Sequence, residues 1–567
     1  MKPSSLFAVG ALALCTIEPV RGAEFWVGSG ESCDFSSIEE AIAAAQATPE
    51  ADTIRIAKNQ VYSNQALSLN TSLTLVGGYP LCGAAERDGY TSLEGTTRNA
   101  VLAAFSGDPD GIEVHLDRLD ISRGGESNGV AHRGGISISG NVHVFLRDSV
   151  VRNNYSGGGG GIGVRGPRAI LTIEAWVDIR ENTTYGNGGG ILINGGALNI
   201  RPHGVTIKQN RANLNGKGGG IAVVNGGSVS ESTDPFGPLL PVEPVRILQN
   251  YGARGGGGAY VAGVNSLLLA SEIIVDENTS DDGHGGGILV ETQGYAQLSG
   301  FPDPPFRACP PGQECLSLSG NSSTRSGAAL AVRGGGSARI DGAIVRRNLL
   351  LGSEMGGNAF LIDDTDSSLR LANSVVADNS CDLQILSVCS VVDMIAGPVS
   401  NRSKFWFAFT TFAHNGPVNG ALISTTLNGR PEGGIVLDAS SSLIGGKRRL
   451  FEYRGPVPWP VAQLTTECLL KDQGDPDPFT EVGGISFQDQ ESGDYRLRRG
   501  SVAIDYCSHD SAELDLHRQP RGIDDPERPN RDDSPANTFD LGAYEFHAVY
   551  DRIFADGFES APPTERK

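Results

Sequence analysis

Short runs in which apolar residues alternate with polar or small ones recur through the middle of the chain, about every 28 to 30 residues. Each copy opens with a Gly run and a first apolar segment, as in 158–164, 188–193 and 218–223. Two further alternating segments and an Asn follow. Alternation with a period of two predicts β-strands. A fixed repeat of this length predicts a solenoid, in which each repeat is one coil stacked on its neighbours.

Equivalent residues of successive coils should form columns inside such a solenoid. Parallel strands lie about 4.8 Å apart, so each aliphatic side chain is covered by its counterparts above and below. At roughly 25 cal/mol per Å², one enclosed Ile contributes around 2 kcal/mol. The Asn residues are expected to stack their amides inside a turn. The expected sets are Ile162, Ile191, Ile221 and Ile288; Val164, Ile193, Val223 and Val290; and Asn154, Asn182, Asn210, Asn250, Asn278, Asn348, Asn379 and Asn415.

One early segment, 35–45, has a helical pattern instead. Ser36 or Ser37 can cap a helix there, and a Glu pair in the first turn suits the helix dipole. Ile38 and Ile42 would share one face. We expect this helix to cover the open end of the solenoid, because the apolar cross-section of a terminal coil would otherwise meet water.

Over residues 24–445, this repeat of Gly run, three strands and Asn resembles the right-handed parallel β-helix family, the pectate-lyase-like architecture. The fold class is therefore predicted as all-β: a right-handed parallel β-helix solenoid with a short N-terminal capping helix. The resemblance implies a fold and leaves the activity open.

From about residue 446 the repeat fades, and 440–546 resembles the C-terminal region of exported bacterial β-helix proteins called choice-of-anchor proteins. The stretch 551–559 resembles a short tail of secreted proteobacterial proteins, with a last strand before a disordered end as the alternative. The residues that carry the first resemblance are Tyr495–Leu497, Ser501–Asp505, Asp515, Arg518, Pro520, Arg521, Gly522 and Phe539–Glu545.

The N-terminus has the pattern of a signal peptide, with Lys2 as its charged start and Leu6–Leu14 as an apolar stretch too short to cross a bilayer. Lipidation at Cys15 is the alternative, although Leu14 stands where a lipobox needs a small residue. A secreted or cell-surface location follows. The predicted division is 1–22 signal peptide, 24–52 N-terminal cap with its helix, 53–445 coils, 446–546 C-terminal coils and cap region, and 547–567 tail.

Cysteine content agrees with export. Removing Cys15 from the nine Cys leaves eight, an even number that favours disulfides in an oxidising compartment. No Cys-x-x-Cys spacing supports a zinc or redox site. The expected pairs are Cys33 with Cys82, Cys309 with Cys315, Cys381 with Cys389, and Cys468 with Cys507.

The formal net charge of −21 argues against nucleic acid and anionic membranes as partners, because both require a basic surface. Gly accounts for 77 of 567 residues without a strict period of three, which excludes collagen. No further segment is long and apolar enough to cross a membrane, and we expect a monomer.

Catalytic candidates come from the run 281–285, because polygalacturonases carry an Asp pair and a Gly-His-Gly on this fold. The candidates are Asp281, Asp282 and His284, with paired carboxylates suited to glycosidic hydrolysis. In that family the two elements lie on successive coils, whereas here they are contiguous, and a solvated turn is the alternative.

No cofactor is expected. If a calcium ion is bound, the acidic cluster of Asp363, Asp364 and Asp366 offers oxygen ligands, but no Arg or Lys of a lyase site is evident beside it.

Two copies of the repeat are lengthened, at 228–244 and 299–315, both between the second and third strands. The two insertions should project from one face, which in solenoids is often the binding face. Their aromatic residues can stack on sugar rings or pack against the coil wall. The binding candidates in and beside them are Phe236, Tyr295, Phe301, Phe306 and Arg307.

These features predict an exported, disulfide-bonded β-helix that is non-catalytic and binds polysaccharide or another cell-surface partner. The alternative is a polysaccharide lyase or glycoside hydrolase acting on acidic polysaccharide. A third possibility is a structural spacer without pocket or patch.

Overall fold

The computed structural model is a parallel β-solenoid in which each coil pairs with the next. It describes residues 22–547 apart from 49, 126–133, 202, 232–242, 301–313, 353–355, 364–365, 383, 385–388, 397–401, 417–419, 428–433, 447–448, 455–460, 475–479, 509–513, 528 and 532–533. The all-β solenoid predicted from the repeat is therefore confirmed. Its handedness stays a prediction.

The strand that follows each Gly run belongs to a 13-stranded parallel sheet, the first stack. Its strands are Leu67–Leu69, Leu102–Ser106, Ile136–Gly140, Ile162–Arg165, Ile191–Asn194, Ile221–Val224, Ala259–Ala262, Ile288–Glu291, Leu330–Arg333, Gly357–Asp363, Ser390–Ala396, Ile423–Leu427 and Phe451–Arg454.

The second and third strands of each coil form two further parallel stacks. Two long strands, Ile435–Ile444 and Val461–Lys471, pass through both and join them into one 28-stranded sheet. The second stack otherwise contains Glu24–Val27, Asp52–Ala57, Leu73–Tyr79, Ile112–Asp117, Val142–Arg147, Ile170–Ala175, Ala197–Ile200, Ser228–Glu231, Leu267–Ala270, Tyr295–Ser299, Ser337–Asp341, Ser368–Ala372 and Ser403–Ala408. The third contains Tyr62–Gln65, Thr91–Gly95, Leu119–Ser122, Val150–Arg152, Asp178–Arg180, Thr206–Lys208, Val245–Leu248, Ile273–Asp276, Leu316–Ser319, Ile344–Arg346, Val375–Ala377, Thr411–Ala413 and Glu481–Val482.

A narrow fourth stack of two-residue strands closes the coils, and one antiparallel pair, Phe487–Asp489 with Asp494–Leu497, follows the last coil. The fourth stack contains Tyr155–Ser156, Thr183–Thr184, Arg211–Ala212, Tyr251–Gly252, Thr279–Ser280, Ser322–Ser323, Leu349–Leu350 and Ser380–Cys381.

The core consists of the columns expected from the repeat. Ile162 pairs in register with Ile191, which pairs with Ile221, and all three are fully buried. Ala259 continues the column to Ile288. Each aliphatic side chain thus meets its counterpart in the next coil, and the burial energy accumulates only over many coils.

Gly is required in each run for two separate reasons. Gly285 has a φ of 67°, a left-handed conformation that costs little without a Cβ. The next residue, Gly286, lies against the following coil, where a Cβ would stand 2.3 Å from the carbonyl oxygen of Ser322. Side chains there would push the coils apart.

The Asn series forms a continuous hydrogen-bonded ladder. At each rung before the last, the side-chain amide donates to the next Asn and to a backbone carbonyl of the preceding coil, as Asn182 does to Asn210 (3.0 Å) and Val151 (2.8 Å). The ladder also includes Asn321, which the regular spacing did not reveal because the insertion before it shifts the register. Residues just before the Asn, such as Glu181, adopt a left-handed φ that makes the corner.

The segment expected to cap the solenoid contains a helix at Ile38–Ala45, with Ser37 at its N-cap and Ile38, Ala41, Ile42 and Ala45 buried. Its capping role stays a prediction. The Ser37 side chain accepts from the Glu40 amide at 3.5 Å. Three of the expected disulfides are confirmed: Cys33–Cys82, Cys381–Cys389 and Cys468–Cys507. Cys315 is disulfide-bonded, while Cys309 lies outside the described residues.

The last described segment, 514–547, turns back along the flank of the solenoid; we call it the C-terminal clasp. The Ala543 amide donates to Thr411 Oγ1 (3.0 Å), and Arg518 donates to the Gly300 carbonyl (2.7 Å). Ala543 and Tyr544 pack against Val375, Ala377 and Ala413 of the third stack. Within the described part of the chain, no helix has the length and apolarity to span a membrane.

Candidate functional site

The outer face of the second stack carries one column of large polar and aromatic side chains. Strand pairing places Gln297, Arg339, Arg370, Trp406 and Asp438 at the same position of five successive coils. Neighbouring members are separated by the strand spacing of about 4.8 Å. The column therefore runs along the long axis of the solenoid.

Four residues of this column form the floor of a groove of about 770 Å³: Arg339, Arg370, Trp406 and Asp438. Tyr295 stands at one end of the groove, and Leu514 of the C-terminal clasp contributes to its wall. The buried neighbours Phe405 and Phe407 flank Trp406 in sequence and point into the core, with ring centroids 5.2 Å apart. The backbone that presents Trp406 is thus fixed by packing behind it.

Three side chains of the column have unused bonding capacity. Among the described residues, no group accepts a hydrogen bond from the Arg370 guanidinium, and none donates to the Asp438 carboxylate. The Trp406 indole likewise lacks a partner there. A guanidinium offers five donors, an indole one donor and an apolar face, and a carboxylate only acceptors.

The charges that line the groove balance. Arg339 lies 3.8 Å from Asp341, and the second pair of opposite charges is Arg370 and Asp438. Asn373 donates to the other oxygen of Asp341 at 3.0 Å, which holds that carboxylate at the groove edge. The lining therefore offers both donors and acceptors without a net charge.

Of the predicted binding residues, Tyr295 lies in this groove and is half-buried, with its hydroxyl donating to Gln297 at 3.0 Å. Phe236, Phe301, Phe306 and Arg307 lie outside the described residues. The strands on either side of the two insertions confirm that both interrupt the connection between the second and third stacks.

The predicted catalytic run lies at a different corner, before the strand Ile288–Glu291. Asp282 forms ion pairs with both Arg254 and Arg325, and Asp281 accepts from the Tyr251 hydroxyl at 3.0 Å. His284 faces the Ser326 carbonyl, 3.2 Å from its Nδ1, and burial together with nearby Arg333 lowers the pKa of the imidazole to about 3. The two carboxylates thus bind neighbouring coils rather than facing each other.

The predicted acidic cluster is also engaged in ion pairs. Asp363 accepts from Arg333 at 2.8 Å, and Asp366 lies 3.9 Å from Lys404. Asp364 lies outside the described residues. Within the described ranges, no group of three or more His, Cys, Asp or Glu side chains is arranged to hold a metal ion.

A buried polar cluster on the outer face of the first stack was not foreseen. Lys217 pairs with Glu291 from two coils away and lies 4.9 Å over the Tyr260 ring, whose hydroxyl donates to Glu291 at 2.7 Å. Burial would raise the pKa of Glu291, but its bonds to Lys217 and Tyr260 outweigh burial and lower it. The donors and acceptors of this cluster satisfy one another, so it stabilises the coil stack.

No family model, no curated protein and no solved structure matches this chain.

Proposed function

We propose that this protein is exported and binds polysaccharide, with the groove on the second stack as the binding site. The observation that carries the proposal is the column Arg370–Trp406–Asp438, whose bonding groups are unused among the described residues and exposed to the groove. A pyranose ring has an apolar face that can stack on an indole, and hydroxyls at its edge that a guanidinium and a carboxylate can bind.

The shape of the groove favours a chain over a single sugar. Tyr295 and Asp438 stand at register positions separated by several coils, and the groove between them follows the solenoid axis. An extended glycan lying along this axis would contact several coils at once. Export is supported by the three disulfides, which are typical of oxidising compartments, and by the signal-peptide pattern.

Charge favours a neutral or sparsely charged chain. The lining pairs two guanidiniums with two carboxylates, and the protein as a whole carries −21, so a polyanion gains little in the groove and is repelled at long range. A hydroxyl-rich chain uses both donors and acceptors. A neutral polysaccharide is therefore favoured as the groove ligand over the acidic polysaccharides that the alternative enzymatic function would require.

The test is a glycan array followed by calorimetry with wild type, Trp406→Ala and Arg370→Ala. Loss of a stacking Trp at a binding centre costs about 2 kcal/mol, so we expect about 30-fold weaker binding for Trp406→Ala. Loss of charge-assisted hydrogen bonds should cost Arg370→Ala about tenfold.

Matched controls are Trp176→Ala and Arg246→Ala. Trp176 is 55% exposed at another corner, and Arg246 is exposed on the third stack. Both should bind as wild type. The groove would be excluded as the binding site by either of two results: an equal loss of glycan affinity in the controls and the groove variants, or glycan binding that neither groove variant changes. If this protein bound only a protein component of the cell surface, the proposed ligand would have to change from polysaccharide to protein.

The enzymatic alternative predicts cleavage of acidic polysaccharide, which is directly measurable. We expect no unsaturated product absorbing in the ultraviolet, and no new reducing ends, from pectin or alginate. Product formation that Asp282→Asn or His284→Asn abolishes would restore the alternative.

A further inference from the structure

The last strand of the second stack has one unpaired edge. Val461–Lys471 pairs with Ile435–Ile444 of the preceding coil, but the following strand, Glu481–Val482, pairs only with its last two residues. Within the described part of the chain, no strand lies against the far side of Gln463–Glu467. This segment, which we call the open edge, therefore presents unused backbone donors and acceptors.

The regular coils show which backbone groups are unused. The amide of Ile112, an inward-facing residue, donates to the Asn141 carbonyl of the following coil (3.1 Å). The amide of Lys404, an outward-facing residue, donates to the Ser367 carbonyl of the preceding coil (2.9 Å). Inward-facing residues of the second stack thus direct their backbone groups towards the next coil.

In the open edge, the inward-facing residues are Leu464 and Thr466. They pair with Leu437 and Ala439, which are buried, but they are themselves only half-buried because no coil of the second stack follows them. Their amides and carbonyls point away from the solenoid. The apolar interior therefore comes closest to solvent beside a row of free hydrogen-bonding groups.

The open edge carries none of the features that usually protect an exposed strand. Such strands are protected by Lys or Pro residues, by bulges, or by charges that point inward. The open edge has the sequence Gln-Leu-Thr-Thr-Glu and pairs with the preceding strand in unbroken register. Its one charge, Glu467, is on an exposed residue.

The opposite end of the second stack is closed by its own chain. In the first strand, the Trp26 amide donates to the Asp34 carboxylate (2.7 Å). The Trp26 carbonyl accepts from the amides of Asp34 (2.9 Å) and Phe35 (3.0 Å). A head-to-tail contact between copies would have to displace these bonds, so a symmetric contact between two open edges is favoured.

The residue order of the open edge is complementary to itself. In an antiparallel pair with a two-fold axis at Thr465, Leu464 lies opposite the partner's Thr466, and the two exchange both backbone hydrogen bonds. The symmetric pair adds two more bonds. Thr465 faces its own counterpart, a favourable cross-strand pair, and Glu467 lies opposite the partner's Gln463, so no like charges meet.

The open edge also continues the groove column. Thr465 pairs with Asp438, the last residue of that column, and Asp438 pairs with Trp406. Antiparallel pairing keeps the outward faces of both copies on the same side of the sheet. The column of one copy would thus run into that of the other, with the two Trp406 side chains five strand spacings, roughly 24 Å, apart.

We propose that the open edge is a dimerisation surface, at which a second copy of this chain pairs antiparallel and joins the two grooves into one track for a long polysaccharide. Dimerisation needs no ligand, whereas its effect on binding rests on the proposed function. The monomer expected from the sequence is then the dissociated form. The net charge of −21 on each copy opposes association, so the dimer should tighten as the salt concentration rises.

Light scattering after size-exclusion chromatography tests the dimer directly. The exported protein should have twice the mass of one chain at high protein concentration and dissociate on dilution, at lower concentration in high salt than in low salt. The mass of a single chain at every protein and salt concentration would overturn the proposal.

Replacing Thr466 by Pro tests the hydrogen bonds of the edge. Pro removes an amide that points away from the preceding coil, a position at which strands tolerate it. Two of the four bonds across the two-fold axis are lost, so dimerisation should be about 30-fold weaker. Thr466→Val keeps the amide and should associate as wild type. Equal association of Thr466→Pro and wild type would overturn the pairing.

Exchanging charges at Thr465 tests the two-fold axis independently of any damage to the fold. Thr465→Lys and Thr465→Glu each place like charges opposite one another, so each variant alone should be largely monomeric. Their mixture should restore the dimer, because opposite charges then meet. Dimerisation of both single variants as wild type, or a mixture that stays monomeric, would overturn the pairing at Thr465.

Hydrogen exchange distinguishes a second copy from other coverings of the edge. Protection of the Leu464 and Thr466 amides should rise with protein concentration, while protection of the Ile191 amide stays constant. Protection of the edge that does not depend on concentration would show that a segment of the same chain covers it, which would overturn the proposal.

Calorimetry with short and long glycans separates this inference from the proposed function. A chain long enough to reach both grooves should bind wild type at least tenfold more tightly than Thr466→Pro, whereas a short oligosaccharide should bind both equally. Equal affinities for the long chain would overturn the joined groove. If no glycan binds either protein, the proposed function fails and the joined groove with it, and the mass measurement still decides whether the open edge forms a dimer.

Discussion

Replacing Asn250 by Ala tests whether the Asn ladder stabilises the solenoid. Asn250 is in the middle of the ladder and 1% exposed. Its side-chain oxygen accepts from the amide (2.9 Å) and side chain (3.0 Å) of Asn210, and its side-chain nitrogen donates to the Ile207 carbonyl (2.9 Å) and to Asn278 (3.0 Å). Alanine removes all four bonds.

The cost can be worked from these contacts. At about 1 kcal/mol net for each hydrogen bond, four bonds give about 4 kcal/mol. The Asn210 amide is left without a partner in a buried turn, and such a group costs about 1–3 kcal/mol. The expected loss is therefore about 5–7 kcal/mol, a large part of the stability of an ordinary domain.

The matched control is Asn199→Ala, on a second-stack strand outside the ladder. Its side chain accepts one bond, from Ser230 at 3.1 Å, and is half-buried. We expect a loss of about 1 kcal/mol or less. Urea unfolding gives the free energies, and hydrogen exchange of the Ile247 and Ile207 amides reports whether the damage is local, which matters because long repeat arrays can unfold in parts.

A difference of less than about 1 kcal/mol between the two variants would refute this reasoning. It would mean that water or backbone rearrangement satisfies the freed groups. Unchanged protection at Ile207 and Ile247 in Asn250→Ala would contradict it independently of the unfolding model.

Further predictions concern the disulfides, the effect of acidic pH on His284, and the inserted loops. Replacing Cys33 and Cys82 by Ser should lower stability by about 4 kcal/mol, and replacing Cys381 and Cys389 by about 2.5 kcal/mol, since the closed loops span 49 and 8 residues; equal melting temperatures before and after reduction would contradict this. Burial lowers the pKa of His284 to about 3, so the neutral imidazole stabilises the folded state above pH 6.5 and this stabilisation is lost as pH falls. Hydrogen exchange of the Ile288 amide should therefore accelerate towards pH 4 in wild type but not in His284→Asn. Phe301→Ala and Phe306→Ala should each weaken glycan binding several-fold by calorimetry, and wild-type affinity would exclude these rings from the site.

The sequence predicted the fold well where stacking constrains it. Interior positions such as Ile162 and Ile191 repeat because each must match the residue above and below, and the same holds for the ladder residue Asn210. Because this packing constraint recurs in every coil, the residue type at the position recurs in the sequence. Where an insertion breaks the spacing, as before Asn321, the signal disappears although the physical role continues.

Of the residues that line the groove, the sequence singled out only Tyr295, for a physical reason. Arg370, Trp406 and Asp438 point outward, where no neighbouring coil constrains their type, so they carry no period. Their alignment depends on register across coils of unequal length. The alternation of Phe405 and Phe407 with Trp406 gives the direction of the indole, but not which residues stand beside it.

The catalytic candidates show how contacts between coils set the surroundings of a short local motif. Asp281 and Asp282 are adjacent in a polar turn and suggest paired carboxylates, yet in the stack each finds a partner in another coil: Tyr251 for the first, Arg254 and Arg325 for the second. The environment of both carboxylates is determined by contacts with other coils, whose residues are tens of positions away in the sequence. The short run alone could not contain that information.

The groove lies where an element outside the coils adds a wall, because the stacked coils alone form no concave surface. A flat parallel sheet cannot enclose a ligand, and part of the outer second stack, at residues such as Thr172, Asn199 and Ser230, carries only short side chains. Concavity requires a second element, and the C-terminal clasp supplies one beside the coils that carry Arg370 and Trp406. Binding should therefore depend on the column and the clasp together. Arg521→Ala removes the clasp's contacts with Asn373 and Phe409 in the groove lining, and should weaken glycan binding although Arg521 itself does not line the groove. Wild-type affinity in that variant would show that the column binds alone.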